Sequence, residues 1–535
     1  MAVADQRSEL EGVGDVRTLV RRASERWGDK LALTFDESGE RLTFGDVERR
    51  ANAIGNVLRG LGVEPGDKVA VMLPNRPEFP LGWLAITGIG ATMVPINVFY
   101  KKGDAGYLLE NSEARAILTA DEFVPLVTGI EGADGKLETV VSVDGSGGGK
   151  ARDLRQLLER ADHSLPPVEV LPEHLANIQY TSGTTGRPKG CMLSHCFWLE
   201  LARSVVAAGA ISGEDVVLTA QPFYYLDPQW NLLMTLASGA HLVVLDRFHP
   251  STFWQKIRHH EVTFFYCLGV MPRLLLKMPA DPADRDHRVT RVLCSAIPVA
   301  QHAELAARWG VPWSEAFGMT EIGAGTAVTP EDHDELVGSG CIGRPIRGRE
   351  ARVVDERGSP VPPGETGELV FRGLGMMDGY FKNPEATAEV FKDGWFHSGD
   401  LARMDEAGRF YYMGREKDMI RRSGENVSAT EVEETIEGHP DVKIAACVPV
   451  ADELRGEEIK AYVVLQPGAA PETTPPAALI EFCEQRLAYF KVPRYWSYRD
   501  DLPRTPSERV AKAELQREQA DPRAGAYDRV EDLWR

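Results

Sequence analysis

The first half of the chain alternates helical and strand periodicity, and this alternation restricts the possible folds more than any other feature. In residues 44–62 the apolar side chains of Val47, Ala51, Ile54 and Leu58 recur at helical spacing, and residues 67–73 then form a strand-like apolar run. Glycines and prolines separate successive segments. Helices that alternate with strands in this way are typical of α/β layers with parallel strands. We therefore predict an α/β protein with a large multi-layer N-terminal domain that contains parallel-type sheets.

The C-terminal part has a different pattern. Ser428 and Glu431 form a capping-box pair that begins a predicted helix, and Gly438 marks its end. Strand-like runs follow at residues 442–450 and 459–465, and an amphipathic helix is predicted around residues 479–487. These elements predict a small mobile α+β domain. We place the large domain at residues 1–414, a hinge at 415–418 and the small domain at 419–535.

Length and charge narrow the class of protein. A chain of 535 residues is expected to form more than one folding unit, and its formal net charge of -20 argues against a nucleic-acid partner. The seven cysteines are scattered and never form a C-x-x-C motif, which favours a cytoplasmic location over a disulfide framework. The uncharged run at residues 79–100 is interrupted by glycines and a proline, so we predict a buried helix and strand there and no membrane span.

Residues 180–190, YTSGTTGRPKG, combine hydroxyls, glycines and cations. The glycines permit a close approach of the backbone, and hydroxyl and N–H groups donate to oxyanions. Lys189 adds positive charge, and apolar residues on both sides anchor the segment. The run lacks the Gly-Lys-Ser/Thr ending of a Walker A loop. We predict a phosphate-binding loop, with a polar surface turn as the alternative.

Residues 315–323, EAFGMTEIG, contain a second group of polar and aromatic side chains. Phe317 beside Gly318 offers a stacking face for a base. Thr320 beside Glu321 suits a phosphate and its Mg²⁺, a cation that prefers oxygen ligands. A Thr-Glu pair that caps a helix is the alternative interpretation.

A third segment, residues 393–418, places Asp400 after a Ser-Gly turn and Arg415 after a further glycine. A carboxylate can accept hydrogen bonds from two vicinal hydroxyls, which is the arrangement that a ribose presents. Taken alone, a turn aspartate and a surface ion pair would explain the same residues.

Together and in this order, these motifs resemble those of the adenylate-forming enzymes, which include acyl- and aryl-CoA synthetases, adenylation domains of peptide synthetases and beetle luciferases. The resemblance extends over about residues 18–515. The segments FKNPEATAEVF, GWFHSGDLA and GENVSATEVEE are most similar to those of small-acid and carnitine-type CoA ligases.

The resemblance implies ATP, Mg²⁺ and CoA as cofactors and assigns roles to individual residues. The ATP phosphates would be held by Thr181, Ser182, Gly183, Thr184, Thr185 and Lys189. Phe317, in the motif with Gly318, would contact adenine, Thr320 the α-phosphate and Glu321 the Mg²⁺. Asp400 and Arg415 would bind the ribose. Lys417 would be the hinge residue, and Gly424 would border the pantetheine arm of CoA.

The implied reaction has two steps. A carboxylate attacks the α-phosphorus of ATP and releases pyrophosphate, and a thiol then attacks the acyl-adenylate and releases AMP. In-line positioning and charge stabilisation are sufficient for this chemistry, and a domain rotation separates the two steps. The partners would be a small-molecule acid, or another oxyanion, and an acceptor nucleophile; a homodimer is compatible with the sequence.

Two departures from the family's pattern affect the reacting centre. Where the family has Gly-Lys after Thr-Pro-x, this chain has Glu508 and Arg509. Arginine keeps the charge of the catalytic lysine but presents a planar fork. We predict that Arg509 replaces it, with Lys512 as a less suitable substitute and a surface arginine as the alternative.

The second departure is Tyr225, at a position where the family commonly has a histidine. Tyr225 is either an aromatic gate of the acceptor channel or a packed core tyrosine. Tyr224, Asp227 and Trp230 are predicted to line the acid pocket. An aspartate there would suit a substrate that carries an amine or other cation, and the aromatic side chains would suit a substrate that contains a ring. The acceptor thus stays open between CoA and a carrier-protein thiol. Diazotisation of an aryl amine with nitrite, known among relatives in specialised metabolism, and a non-catalytic nucleotide-binding role are further alternatives.

Overall fold

The computed structural model describes residues 12–130, 137–145, 149, 151–181, 188–269, 271–415, 418–422, 425–452, 455–505, 509–518 and 521–535. These residues divide into two compact units. The larger unit comprises the described residues within 12–181, 188–351 and 371–396, and the smaller unit comprises 352–370 and the described residues from 397 onward. The predicted domain limits at residues 414 and 419 remain a prediction.

The helices are α1 Val16–Trp27, α2 Phe44–Gly60, α3 Glu78–Gly88, α4 Lys102–Ser112, α5 Val124–Thr128, α6 Leu154–Leu158, α7 His195–Ala208, α8 Leu226–Ser238, α9 Phe253–His259, α10 Met271–Leu276, α11 His302–Trp309, α12 His333–Leu336, α13 Pro384–Val390, α14 Ala429–Glu437, α15 Pro476–Glu484 and α16 Lys512–Arg517.

The strands are β1 Leu31–Phe35, β2 Arg41–Thr43, β3 Lys68–Met72, β4 Thr92–Pro95, β5 Ala114–Thr119, β6 Thr139–Ser142, β7 Arg152–Asp153, β8 Leu175–Thr181, β9 Lys189–Ser194, β10 Val216–Thr219, β11 His241–Val244, β12 Phe264–Leu268, β13 Arg291–Ser295, β14 Trp313–Met319, β15 Gly323–Ala327, β16 Cys341–Pro345, β17 Arg349–Val354, β18 Thr366–Gly373, β19 Phe391–Lys392, β20 Trp395–Met404, β21 Phe410–Arg415, β22 Met419–Arg422, β23 Glu425–Ser428, β24 Val442–Asp452, β25 Gly456–Leu465, β26 Tyr495–Tyr498, β27 Tyr527–Asp528 and β28 Leu533–Trp534.

Two sheets with parallel centres form the larger unit, as the alternating pattern predicts. One has the order β7-β6-β5-β3-β4-β8-β9, and only its β8–β9 pair is antiparallel among the pairs described. The other runs β16-β15-β14-β13-β12-β10-β11-β1-β2 and is parallel from β14 to β1. The strands are covered by helices, and this arrangement confirms the predicted α/β class of the large domain.

Local sequence accounts for the helix that was predicted first. Helix α2 begins after Thr43, whose side chain accepts from the Asp46 N–H while the Asp46 carboxylate accepts from the Thr43 N–H. These reciprocal bonds satisfy N–H groups that a helix start otherwise leaves without partners. Val47, Ile54 and Leu58 form its buried face. The helix therefore combines a strong start signal with an apolar stripe that packs on the core.

The uncharged run at residues 79–100 contains a buried helix and a buried strand, as predicted. Every residue of α3 from Phe79 to Gly88 is buried, and so is all of β4. Burial on all sides explains why this helix lacks a polar face. Within the part of the chain that is described, no helix has the length and apolar character needed to cross a membrane.

The smaller unit has the predicted α+β composition. Its sheet has the order β23-β22-β25-β26-β27-β28, with β24 beside β25, and α14 packs on β24. The Ser428 hydroxyl accepts from the Glu431 N–H at 3.4 Å, and Gly438 follows the last residue of α14. Both helix-boundary predictions are confirmed. Strands β18, β20 and β21 are consecutive neighbours in the strand order, and β20 and β21 pair antiparallel.

The carboxyl ends of the parallel strands bring the predicted motifs to common edges. In one sheet of the larger unit, β10, β12, β13 and β14 end at Thr219, Leu268, Ser295 and Met319, so the segments that follow β10 and β14 leave from the same edge. In the other sheet, β4 and β8 are parallel and end at Pro95 and Thr181. Open α/β sheets bind their ligands at such edges.

Candidate functional site

The ends of the predicted phosphate loop lie on two antiparallel strands. Thr181 is the last residue of β8 and pairs in register with Lys189, the first residue of β9. Ile178 and Cys191 on these strands are fully buried, so both ends of the loop are anchored in the core. Ser182, Gly183, Thr184 and Thr185 lie outside the described residues. Their proposed phosphate contacts therefore remain a prediction from the sequence.

The motif that contains Phe317 occupies the turn between β14 and β15. The Phe317 ring stacks on Phe371 with centroids 5.8 Å apart and an interplanar angle of 11°. Gly318 lies at a bulge in the ladder, and a Cβ there would lie 2.5 Å from the Gly323 carbonyl oxygen. A side chain at Gly318 would therefore displace backbone. Thr320 follows at the turn and is half-buried.

Glu321 is buried in the larger unit and is held from two directions. Its Oε1 accepts a hydrogen bond of 3.0 Å from the Tyr380 hydroxyl, and its carbonyl accepts one of 2.8 Å from the Met377 N–H. The Nζ of Lys189 lies 5.0 Å from the centroid of the Tyr380 ring. Tyr380 thus contacts two residues that the sequence assigned separately to phosphate and to metal.

Burial raises the pKa of Tyr380 far above its ordinary value, and the neighbouring Glu321 and Cys191 raise it further. The hydroxyl therefore retains its proton and remains a hydrogen-bond donor. Sequence reasoning missed Tyr380. The only local signal was an aromatic residue adjacent to glycine, Gly379, which is the same feature that drew attention to Phe317.

The predicted ribose residues form a pair in the smaller unit. Asp400 and Arg415 are register partners on β20 and β21, and the Arg415 Nε donates to Asp400 Oδ1 at 3.0 Å. Asp400 is almost fully buried, and its amide donates to Ser398 Oγ. Burial opposes the charge of Arg415, but Asp400, Tyr412 and Asp418 together raise its pKa above the ordinary value. Arg415 therefore remains protonated beside Asp400.

The predicted acid-pocket residues lie at the start of α8. The Trp230 ring meets the Tyr266 ring edge-on with centroids 5.1 Å apart, and the Trp230 Nε1 lies 3.4 Å from Asp227 Oδ1. Burial raises the pKa of Tyr266 well above its ordinary value, with the Asp227 charge as the next cause. The Asp227 carboxylate therefore lies close enough to the packed rings of Trp230 and Tyr266 to act on them electrostatically. Tyr266 is a second residue that sequence reasoning missed.

Tyr224 and Tyr225 form the other side of this segment. Their rings contact each other with centroids 4.8 Å apart. The Tyr225 hydroxyl accepts from Asn97 Nδ2 at 3.2 Å, and the Tyr224 carbonyl accepts from Gln179 Nε2 at 2.8 Å. Asn97 follows β4 and Gln179 lies two residues before the end of β8, so both tyrosines are attached to the sheet that contains the phosphate-loop strands.

Arg509 lies in a hairpin-like loop of the smaller unit. Arg504 and Val510 form an isolated bridge, the Thr505 N–H donates to the Arg509 carbonyl at 2.7 Å, and the Arg509 N–H donates to Thr505 Oγ1 at 3.2 Å. The Arg509 residue is exposed, whereas Glu508 is outside the described residues. The loop is thus closed at its base and presents an arginine.

Lys512 has a different environment. Its Nζ lies 2.7 Å from Glu433 Oε1, and that carboxylate also accepts from the Cys447 N–H at 2.5 Å. This pair ties α16 to α14 and β24. Lys512 is therefore engaged in an ion pair that joins elements of the smaller unit. Lys417 and Gly424, the predicted hinge and pantetheine residues, lie outside the described residues.

Comparison with known proteins places this arrangement in a family. Residues 20–381 match the model of the AMP-binding enzymes, and residues 431–509 match the C-terminal domain of the same enzymes. The crotonobetaine/carnitine–CoA ligase of Citrobacter koseri is 33% identical over 524 residues, which cover 95% of this chain and 100% of the relative.

Two solved structures extend the likeness. ATP-bound MatB from Rhodopseudomonas palustris has a TM-score of 0.84 and 28% identity over 94% of this chain and 99% of its own. The anthranilate CoA ligase AuaEII in complex with anthranoyl-AMP has a TM-score of 0.85 and 25% identity over 94% of this chain and 97% of its own. The chain therefore belongs to the AMP-binding, adenylate-forming enzymes and is an ATP-dependent, AMP-forming ligase of the acyl-CoA synthetase type.

Proposed function

We propose that the protein adenylates a small or aromatic carboxylic acid that carries an amino or other cationic group, and then transfers the acyl group to the thiol of CoA. The observation that supports this choice of acid is the corner formed by Asp227, Trp230 and Tyr266. Two aromatic rings there can pack against a ring or an alkylammonium group, and the carboxylate can accept a hydrogen bond from an uncharged aryl amine or supply the charge opposite to an ammonium group.

The names of the relatives support the same choice. Carnitine and anthranilate, after which two similar ligases are named, are both acids that carry a nitrogen substituent. A half-buried carboxylate attracts a cationic substituent more strongly than an exposed one does, because the interaction between charges strengthens as the local dielectric constant falls. Asp227 is half-buried at the first turn of α8, where its negative charge is also stabilised by the helix start.

The adenylation step forms an acyl–phosphate bond and breaks the bond between the α-phosphorus and the pyrophosphate oxygen. We assign the nucleotide contacts as the sequence predicts: Thr181 and Lys189 with the intervening loop to the phosphates, Thr320 to the α-phosphate, Phe317 to adenine, Asp400 and Arg415 to ribose. Arg509 is proposed to bridge the acid and the α-phosphate. Fixed cations and donors that face the developing charge are the main source of acceleration in such reactions.

Glu321 is the residue that we assign to Mg²⁺. Carboxylate oxygens are suitable ligands for this hard cation, and Mg²⁺ commonly uses one or two carboxylates together with substrate phosphates. Among the described residues, no group of three His, Cys, Asp or Glu side chains could hold a metal alone. When bound, Mg²⁺ would neutralise phosphate charge. The Tyr380 hydroxyl orients Glu321 Oε1 by donating to it.

In the second step the CoA thiol attacks the acyl carbonyl, the carbon–oxygen bond to AMP breaks, and a thioester forms. We propose that Lys417 is the hinge about which residues 419–535 move, and that Gly424 lies along the pantetheine arm. The Tyr225 ring, fixed by Asn97, would regulate access to the carbonyl.

ATP–pyrophosphate exchange over matched acids tests the first step. The decisive pairs are benzoate with anthranilate, and a short aliphatic acid with its trimethylammonium counterpart. Wild-type protein should prefer the nitrogen-bearing member, and Asp227→Asn should abolish the preference while Glu214→Gln, an exposed control, should retain it. An unchanged preference in Asp227→Asn would contradict the proposed acid class. Mass spectrometry with CoA, and in parallel with nitrite plus an aryl amine, identifies the acceptor; exchange without an acyl-CoA product would contradict the second step.

A further inference from the structure

Tyr380 occupies a position that the roles assigned to its neighbours do not explain. Its hydroxyl donates to the proposed metal ligand Glu321, and its ring lies against the Nζ of the proposed phosphate ligand Lys189. Both contacts lie within the larger unit. A single side chain therefore contacts both the carboxylate that is assigned to Mg²⁺ and the ammonium group that is assigned to the ATP phosphates.

The backbone around Tyr380 is fixed on both sides. The Met192 N–H donates to the Gly379 carbonyl at 2.9 Å, and the Phe381 N–H donates to the Gly190 carbonyl at 2.7 Å, so this segment lies alongside β9. The Tyr380 N–H donates to Thr387 Oγ1 at 2.9 Å. A Cβ at Gly379 would lie 2.8 Å from a Thr387 carbon, which ties the segment closely to α13. The ring and hydroxyl are thus positioned before any ligand arrives.

The two contacts have separable chemical consequences. A hydrogen bond to one carboxylate oxygen fixes the orientation of the whole group, and hydrogen bonds to charged groups are among the stronger ones in proteins. A cation over an aromatic face is held without neutralising its charge, so Lys189 remains able to attract phosphate. The hydroxyl acts on Glu321, and the ring acts on Lys189.

We propose that Tyr380 is a positioning residue that sets the magnesium dependence of nucleotide binding through its hydroxyl and the metal-independent phosphate affinity through its ring. This inference rests on the proposed roles of Glu321 and Lys189. It also predicts that the effect of the hydroxyl on Mg²⁺ dependence can be removed while the effect of the ring on phosphate affinity is kept. Removing the hydroxyl alone should change only the gain in ATP affinity from Mg²⁺, whereas removing the ring as well should also change the affinity without Mg²⁺.

The test measures ATP binding to the full chain by calorimetry, without any acid, once with Mg²⁺ and once with EDTA. Tyr380→Phe keeps the ring, so the affinity in EDTA should stay the same while the gain in affinity from Mg²⁺ falls about tenfold. Tyr380→Leu removes the ring as well, so the affinity in EDTA should also fall. Tyr462→Phe, which removes a buried hydroxyl bonded to the Leu515 carbonyl in the smaller unit, is the matched control and should alter neither quantity.

Thr387→Val provides a second test if Tyr380→Phe does not fold. It removes the acceptor of the Tyr380 N–H, so it should reduce the magnesium gain by a smaller factor. The inference would be overturned if folded Tyr380→Phe protein gained as much ATP affinity from Mg²⁺ as the wild-type protein does. If only Thr387→Val folds, the same result in that variant would overturn it. ATP binding by wild-type protein with no magnesium gain would also overturn it without contradicting adenylation, whereas loss of all ATP binding by wild-type protein would contradict the proposed function itself.

Discussion

The Nε of Arg415 donates to Oδ1 of Asp400 across 3.0 Å, between two residues that are register partners on antiparallel strands. Asp400 is nearly inaccessible, whereas Arg415 is about a third exposed at its side chain. The arginine thus orients the carboxylate, and a carboxylate can accept hydrogen bonds from vicinal hydroxyls. A pair in this arrangement suits a sugar better than it suits a purely structural surface bridge.

Replacement of Asp400 by Asn should raise the KM for ATP about tenfold or more, because hydrogen bonds between a charged acceptor and the ribose hydroxyls would be weakened. The same hairpin contains a matched control. Asp405 pairs with Arg409 at the same distance of 3.0 Å, so Asp405→Asn should lower stability and leave the KM for ATP unchanged. Pyrophosphate-exchange kinetics and thermal unfolding measure the two effects. Equal KM values in both variants would show that Asp400 is structural.

Arg509 provides a test of the altered C-terminal signature. Arg509→Ala should reduce pyrophosphate exchange by about a hundredfold, the scale on which enzymes lose activity when one fixed group that stabilises transition-state charge is removed. The thioester step, measured from a supplied acyl-adenylate and CoA, should change little. Arg509→Lys should retain most of the exchange because it restores a compact cation.

Arg504 is the control for this prediction, since its backbone bridges to Val510 beside Arg509 and its side chain carries the same charge. Arg504→Ala should leave exchange near the wild-type rate. Similar losses in both alanine variants would indicate that the loop needs general positive charge and not a specific arginine.

The elements and the motif ends could be predicted from sequence because each depends on local signals. The capping residues of α2 and α14 and the buried runs of α3 and β4 act over a few residues. The contacts of Tyr380 could not be predicted, since it lies 59 positions from Glu321 and meets it only because residues 377–381 align beside β9. That segment has no strand periodicity of its own. The engagement of Lys512 by Glu433 was equally hidden, because it depends on α16 and α14 both packing on β24.

Tyr225 should distinguish the two half-reactions. If its ring must move before the thiol reaches the carbonyl, loss of the bond from Asn97 in Tyr225→Phe should speed thioester formation about two- to tenfold, the range expected for one neutral hydrogen bond. Pyrophosphate exchange should remain the same. Single-turnover transfer from a preformed adenylate measures the effect. A lower melting temperature with both half-reactions unchanged would identify Tyr225 as a packed core residue.

His195 should make the stability of the protein depend on acid. Its ring is fully buried, its Nδ1 accepts from the Val16 N–H at 3.2 Å, and burial lowers its pKa to about 4. The unfolded chain binds a proton at this histidine near pH 6.5, whereas the folded protein does so only near pH 4. The contribution to stability is therefore complete above pH 6.5 and is lost as the pH falls toward 4, to a total of about 3 kcal/mol.

Burial also lowers the pKa of His241 to about 4 and lowers the pKa values of His287 and His302, so these histidines should share the acid sensitivity. His195→Asn keeps an acceptor for the Val16 N–H but cannot be protonated, and should reduce the loss in the free energy of unfolding between pH 7 and pH 5. His163→Asn, at an exposed position, should leave that loss unchanged. Urea unfolding at the two pH values measures each variant. Because the prediction concerns a difference between pH values, any constant packing cost of the asparagine cancels, and an undiminished loss in His195→Asn would show that His195 is not an origin of the acid sensitivity.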